Sequence, residues 1–302
     1  MRRFLIQVCV FSLLPLTVCL VALSRLSGYT DPFYLRFTTP KQHSLIIGTS
    51  RAAQGLQPVV TNNILHRHDM FNYAFTIAHS PFGETYFKSI KSKLAPGTKD
   101  GIYIVAVDPW SISNTSKDPD DADNFAEQDF ALGKMSFVNM NPNIFYIFCC
   151  YDKPLITLVK KNKDFSTFLH KDGWLEVTVP MDSVTVSTRL REKIFDYQTN
   201  YLPKFKFSNI RWQYLIKTIS FLQMHGKVYL VRLPVHDEIY RIEAQLMKGF
   251  DDKMNTLAKE LNVPYKNVAL HGKAYEYTDG NHLTPASGKK VSAEVAEWIY
   301  SL

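Results

Sequence analysis

The stretch SLIIGTSR at positions 44–51 combines a short apolar run with a glycine and a serine. The run Leu45 to Ile47 suits a buried parallel strand, and Gly48 closes it. The residues after Ser50 favour a helix, which Gly55 and Pro58 are expected to end. Ser50 is therefore predicted to lie where a strand gives way to a helix, close to unpaired N–H groups that stabilise an anion. A plain helix N-cap is the other interpretation.

A second informative stretch, YTDGNHLTP at positions 277–285, is typical of a loop that precedes an amphipathic helix. Asp279 stands three positions before His282, so its carboxylate can reach Nδ1 of that imidazole and fix its tautomer. The alternative is a solvated Asp-Gly turn with a surface histidine. Taken with Ser50, the pattern predicts a nucleophile, a general base and an acid that orients the base.

These two blocks resemble those of the SGNH hydrolase superfamily, over roughly Ser44 to Leu302. The resemblance implies a serine nucleophile (Ser50), a general base (His282) and its orienting acid (Asp279), without a metal or another cofactor. The wording GTSRA and DGNHL looks closest to the membrane-anchored branch. That branch includes the D-alanyl-lipoteichoic acid biosynthesis protein and O-acetyltransferase-like proteins that modify cell-surface polysaccharides.

Two further blocks of that superfamily are altered here. Asn72 begins the segment that should carry a block II glycine, and no glycine is present. Asp108 and Trp110 follow the third predicted strand, where a Gly-x-Asn-Asp would supply a block III asparagine. Losing one such oxyanion donor costs about 3 to 4 kcal/mol of transition-state stabilisation. Asn72, Asp108 and Trp110 are candidate oxyanion or substrate contacts, with a loop cap as the other interpretation of Asp108.

Arg232 interrupts an apolar strand near its carboxyl end. A buried guanidinium is costly unless it is paired, so Arg232 is either a contact for an anionic substrate group or a structural ion-pair partner of Asp108 or Asp279. His236 is a rival general base, although no carboxylate stands three residues before it.

The chain alternates predicted strands and helices, which favours an α/β three-layer sandwich with a parallel sheet, flavodoxin-like and of the SGNH hydrolase type. The alternation lapses at about 109–205, which predicts an aromatic insertion that covers the catalytic face. Strands are predicted at 44–48, 70–75, 101–108, 227–233 and 263–268, and helices at 81–94, 209–225, 237–261 and 285–301.

The N-terminal segment predicts a membrane anchor, so we divide the chain into an anchor at 1–27 and an SGNH-like catalytic domain at 28–302. Arg2 and Arg3 precede about twenty uncharged residues, Phe4 to Leu23, enough to span a bilayer. The two arginines predict a cytoplasmic N-terminus and an extracytoplasmic domain, periplasmic or at the cell surface, on a single-pass protein of the bacterial membrane. A signal sequence is the rival interpretation.

The composition is that of an ordinary folded protein, with 46% hydrophobic and 21% charged residues in a chain of 302. The formal charge of +7 is scattered, so nucleic acid binding is not expected. The leading hypothesis is an envelope-anchored serine esterase or O-acyltransferase acting on an acylated glycan or a lipid-linked substrate. The alternative is a catalytically silent subunit that binds a polysaccharide or a membrane-bound acyltransferase.

Overall fold

The structure, a computed structural model, describes residues 1–154 and 166–302. Its centre is a five-stranded parallel sheet in the order β2-β1-β3-β8-β9. Because every pair is parallel, the carboxyl ends of all five strands lie at one edge of the sheet. The residues after β1, β3 and β8 are thereby brought to the same edge, which is where open parallel sheets bind ligands.

The elements are numbered in chain order. The strands are β1 (Ser44–Ile47), β2 (Met70–Asn72), β3 (Gly101–Ala106), β4 (Ser113–Asn114), β5 (Thr167–Leu169), β6 (Leu175–Val177), β7 (Lys206–Phe207), β8 (Gly226–Arg232) and β9 (Tyr265–Asn267). The α-helices are α1 (Arg2–Ser24), α2 (Tyr34–Thr38), α3 (Ser50–Gly55), α4 (Pro58–Leu65), α5 (Glu84–Lys93), α6 (Ala131–Lys134), α7 (Ile144–Cys149), α8 (Ser183–Asp196), α9 (Asn209–Gln223), α10 (Asp237–Leu246), α11 (Phe250–Glu260) and α12 (Pro285–Tyr300).

The central strands are buried on both faces, as their continuous apolar sequence requires. Alternate residues of β1 and β3 belong to different core clusters: Leu45 and Tyr103 to one, Ile46 and Ile104 to the other. Helices α5, α9 and α11 contribute to the first cluster, and α3 and α12 to the second. The sheet is therefore packed by helices on each face.

One predicted helix is wrong for a local reason. The helix predicted at 237–261 is two helices, α10 and α11, because Gly249 adopts a left-handed conformation (φ 73°) at the start of α11. The predicted end of the helix after Ser50 is confirmed, because α3 ends at Gly55. Pro58 then opens α4 at the first helical position, where its missing N–H costs nothing. Strands β2 and β3 are also shorter than predicted.

The segment between β3 and α9 carries its own small elements. Strands β4 and β7 pair antiparallel, and so do β5 and β6. A π-helical turn, Tyr197–Tyr201, continues α8 toward the sheet edge. Residues 155–165 of this segment lie outside the described residues.

Helix α1 meets the packed domain only near its C-terminal end, where Leu23 packs against the first core cluster and Asn141 Nδ2 donates to the Ser24 carbonyl, within the described residues. None of its residues is buried, and within the described ranges it is the one helix long and apolar enough to cross a membrane. An N-terminal signal sequence can satisfy the same criteria of length and hydropathy.

Candidate active site

Ser50 lies in a sharp turn between β1 and α3. Gly48 has a φ of 147°, and a Cβ at this position would meet the Ala106 Cβ at 2.8 Å, so only glycine fits the turn. Thr49 occupies the N-cap and Ser50 is the first residue of the helix. The Ser50 hydroxyl bonds to His282, with Oγ 2.9 Å from Nε2. The N-cap interpretation of Ser50 is therefore wrong.

Asp279 and His282 share one tight loop. His282 Nδ1 lies 2.9 Å from Asp279 Oδ2, while Asp279 Oδ1 accepts the backbone N–H groups of Asn281 and His282, each at 2.9 Å. Gly280, with a φ of 83°, allows the chain to fold back within this loop. The solvated-turn interpretation does not fit, because the His282 and Asp279 side chains are only 15% and 16% exposed. Ser50, His282 and Asp279 thus form one continuous hydrogen-bonded chain.

The charge of Asp279 is stabilised from two sides. Burial alone would raise the pKa of this carboxyl, but the adjacent His282 imidazole and the Lys193 ammonium hold that pKa well below its usual range. Lys193 belongs to α8, and its Nζ lies 3.3 Å from Asp279 Oδ2. The insertion therefore places a cation on the same oxygen that orients the imidazole.

Next to Ser50 in sequence, Arg51 joins a buried charge cluster made of Arg51, Asp108, Arg232, Glu243 and Asp251. Arg51 Nη1 lies 2.5 Å from Glu243 Oε1 and 3.9 Å from Asp108 Oδ2. Burial opposes the charge of Arg51, but the Glu243 and Asp108 carboxylates outweigh it and raise the pKa of Arg51. Burial likewise opposes the charge of Glu243, whose pKa the guanidinium groups of Arg51 and Arg232 hold below its usual range.

Arg232 is an ion-pair member, and its predicted partners are wrong. Its Nη2 lies 2.7 Å from Glu243 Oε2, and its Nη1 lies 2.7 Å from Asp251 Oδ2. The guanidinium also stacks over the Tyr240 and Phe250 rings and is 3% exposed. Because these neighbours enclose the guanidinium, Arg232 has no face open to a substrate.

Asp108 and Trp110 are also buried. Asp108 Oδ1 accepts the Ser111 backbone N–H at 2.8 Å, and Asp108 Oδ2 accepts the Thr49 hydroxyl at 3.3 Å, which matches the loop-cap interpretation. Burial raises the pKa of Asp108. Trp110 Nε1 donates to Glu243 Oε1 at 3.0 Å. Neither side chain presents a free polar atom to a substrate.

Asn72 and His236 have structural roles as well. The Asn72 amide donates to the Ala52 and Leu56 carbonyls, at 2.8 Å each, and accepts the Ala74 N–H. Asn72 therefore ties the end of β2 to helix α3 rather than facing a substrate. His236 caps α10, with Nδ1 accepting the Glu238 N–H, so the structure gives no support to the rival base.

Sequence reasoning missed Arg51, Asn281, Tyr197, Glu243 and Lys193. Arg51 and Asn281 stand inside the two sequence motifs, but neither motif indicates a role for them. Glu243 carried a signal, because it falls on the apolar stripe of α10 four residues after Ile239, where an acid must find a buried partner. Tyr197 and Lys193 lie in the insertion, whose packing has no sequence signature.

Comparisons with known proteins add little. No family model and no curated protein matches the sequence. Among solved structures the chain is similar to the inhibitor-bound form of an M. smegmatis aryl esterase, with 12% identity and a TM-score of 0.34, over 86% of this chain and 99% of that chain. A likeness at this level carries no argument, so the functional proposal depends on the geometry of the site.

Proposed function

We propose that this protein is a serine esterase or O-acyltransferase in which Ser50, His282 and Asp279 act as a catalytic triad. The observation that carries the proposal is the pair of 2.9 Å distances, from Ser50 Oγ to His282 Nε2 and from His282 Nδ1 to Asp279 Oδ2. Both lie in the range that proton transfer requires. The side chains are also partly open to solvent, as a substrate needs.

In this proposal Ser50 Oγ attacks an ester carbonyl while His282 Nε2 takes the hydroxyl proton. The tetrahedral intermediate then expels the alcohol, which receives that proton from His282. Asp279 stabilises the imidazolium and keeps the ring in one tautomer. Water or a sugar hydroxyl then attacks the acyl-enzyme while His282 takes its proton, and Ser50 leaves. Attack by water is hydrolysis, and attack by a sugar hydroxyl is acyl transfer.

The proposal extends to fold, substrate and location. An SGNH-type three-layer sandwich agrees with the parallel sheet and its two helix-packed faces. An acylated glycan or lipid-linked ester agrees with α1 as a membrane anchor, because such a substrate lies at the bacterial membrane surface. The domain would then be extracytoplasmic.

A catalytically silent subunit that binds polysaccharide or a membrane-bound acyltransferase is the second candidate. It is favoured by the loop after β3, which lacks the block III asparagine and uses its polar groups internally. There Asp108 N donates to Ser111 Oγ and the Ser111 hydroxyl donates to Asp108 O. That loop therefore offers no obvious oxyanion donor.

Hydrolysis of p-nitrophenyl acetate by the purified full chain in detergent separates the two candidates. Ser50→Ala should lower kcat by about 10³-fold or more while the melting temperature stays near that of the wild type, because the Ser50 hydroxyl bonds to His282 and not to the core. Ser89→Ala is the matched control: Ser89 is a buried serine of α5 whose hydroxyl bonds to the Tyr73 hydroxyl, and this variant should retain kcat. Activity that survives Ser50→Ala contradicts the role of Ser50, whereas no activity in a folded wild type contradicts the esterase and leaves the silent subunit.

Location is tested with the cysteines. Cys149 is exposed, whereas burial raises the pKa of Cys150 to about 11 and slows its reaction. A membrane-impermeant maleimide added to intact cells should label the wild type and should label Cys149→Ser much less. Labelling that requires cell lysis would contradict an extracytoplasmic domain.

A further inference from the structure

Asn281 lies between the two catalytic candidates of its loop and is 5% exposed. Its Oδ1 accepts hydrogen bonds from Arg51 Nε at 2.9 Å, from Arg51 Nη2 at 2.7 Å and from the Tyr197 hydroxyl at 3.0 Å. A guanidinium can only donate, so the amide atom that faces Arg51 must be the oxygen. The amide nitrogen consequently faces the opposite side, toward His282.

On that side Asn281 Nδ2 lies 3.2 Å from His282 Nε2, the same nitrogen that lies 2.9 Å from Ser50 Oγ. Nδ1 of the ring faces the Asp279 carboxylate, which is ionised, so Nδ1 carries the proton and Nε2 presents one lone pair. One lone pair cannot serve both the Ser50 hydroxyl and the amide. Within the described residues Nδ2 has no other hydrogen-bond acceptor, so its N–H groups remain available beside the nucleophile.

We propose that the Asn281 side-chain amide is an oxyanion donor for the reaction at Ser50. When Ser50 Oγ bonds to the carbonyl carbon, the π-electron pair of the carbonyl moves onto its oxygen, and Nδ2–H donates to that oxygen. The negative charge returns to a C=O bond when the leaving alkoxide departs and takes the proton from His282. This inference rests on the proposed esterase function.

Arg51 and Tyr197 are positioning residues in this arrangement. Three donors on Oδ1 hold the amide in one orientation and polarise it, which strengthens its N–H as a donor. Arg51 is held in turn by Glu243, which is fully buried. Such prior fixation is what makes an oxyanion donor effective, because no reorganisation is needed during the reaction. It also explains how a chain without the block III asparagine keeps a side-chain donor.

Asn281→Asp is the most informative variant, because it keeps an acceptor for Arg51 and Tyr197 and removes the donor, although it also adds a negative charge beside His282. We expect kcat for p-nitrophenyl acetate to fall by about 10²- to 10³-fold, with KM and the melting temperature little changed. The loss should persist on the plateau of the pH–rate profile, because a missing hydrogen bond to the oxyanion is not restored by titration, while the new carboxylate beside His282 moves the acid limb to higher pH. Asn255→Asp, an exposed position on α11, should retain wild-type kcat.

Two results would overturn the inference. If Asn281→Asp keeps kcat within about twofold of the wild type, the amide only anchors Arg51. If its activity recovers fully at another pH, the amide acts by setting the protonation of His282. Asn281→Ala, which removes both donor and anchor, should lose rate and melting temperature together; loss of melting temperature alone also contradicts the proposal. Ser50→Ala keeps the proposals distinct, because wild-type activity that does not depend on Ser50 overturns the esterase itself.

Discussion

Two groups of polar side chains lie at the carboxyl end of the sheet and differ in their access to solvent. Ser50, His282 and Asp279 are partly exposed. The buried charge cluster is enclosed: Glu243 is 0% and Arg51 5% exposed, and only its outer member, Asp251, reaches the surface. A substrate can reach the Ser50 hydroxyl, whereas the two guanidinium groups of the buried charge cluster are enclosed.

The comparison teaches that charge at the end of a strand does not by itself predict a substrate contact. Neighbours in sequence, such as Ser50 and Arg51, divide between the two groups. In the buried charge cluster each guanidinium is already neutralised by protein carboxylates, so no charge is left over for an anionic ligand. In the exposed group the Ser50 hydroxyl has one partner, His282, which is a base.

The greatest change is expected for His282→Ala, which tests the exposed group. Loss of the general base should lower kcat for p-nitrophenyl acetate by about 10⁴-fold with little change in melting temperature. His236→Ala is the matched control: it should cost about 1 kcal/mol of stability through the lost α10 cap and retain kcat. The comparison fails if His236→Ala is the inactive variant.

Arg232→Met tests the buried charge cluster. It leaves Glu243 with one guanidinium partner instead of two, so we expect the free energy of unfolding in urea to fall by about 3 to 5 kcal/mol. The kcat of the folded protein should stay near wild type. Arg241→Met removes an exposed arginine of the same region and should cost less than about 1 kcal/mol. A large fall in kcat at unchanged stability would restore Arg232 to the active site.

Lys193→Met should produce the smallest change, at the boundary between the exposed group and the insertion. The low pKa of Asp279 keeps its carboxylate ionised in the working range. The variant removes the Lys193 ammonium, which has the same charge as the His282 imidazolium, so the imidazolium becomes more stable. The acid limb of the pH–rate profile for kcat/KM should therefore move to higher pH by a few tenths of a unit, on the order expected of a partly exposed pair. Arg191→Met, on the exposed side of α8, should leave the acid limb of the profile at its wild-type pH. A shift of the acid limb to lower pH in Lys193→Met would contradict the account.

The parts of the fold that could be predicted depend on local patterns. Buried parallel strands give unbroken apolar runs, and the turn at Gly48 and the loop at Gly280 are both marked by their glycine. Asp279 and His282 are three residues apart, so a tight loop alone brings them together. The meeting of Ser50 with His282 follows from both segments lying at one sheet edge, whereas the catalytic roles of the three residues stay predictions.

The parts that could not be predicted depend on contacts between distant segments. The carboxylate partners of Arg232 belong to α10 and α11. Arg51, which is distant in sequence and belongs to α3, pairs with the same Glu243. A charge pattern along one strand cannot identify them. The position of the insertion could not be predicted for the same reason. Tertiary packing determines the contacts of Lys193 and Tyr197 with the loop that carries Asp279 and Asn281.

The most direct test of the central claim is labelling of the folded full chain with a fluorophosphonate probe, followed by mass spectrometry of its peptides. Activation of Ser50 by His282 predicts one adduct, on Ser50, that is absent in Ser50→Ala, strongly reduced in His282→Ala and retained by folded Arg232→Met. An unlabelled wild type, or an adduct that persists in Ser50→Ala, would contradict the claim that Ser50 is the nucleophile.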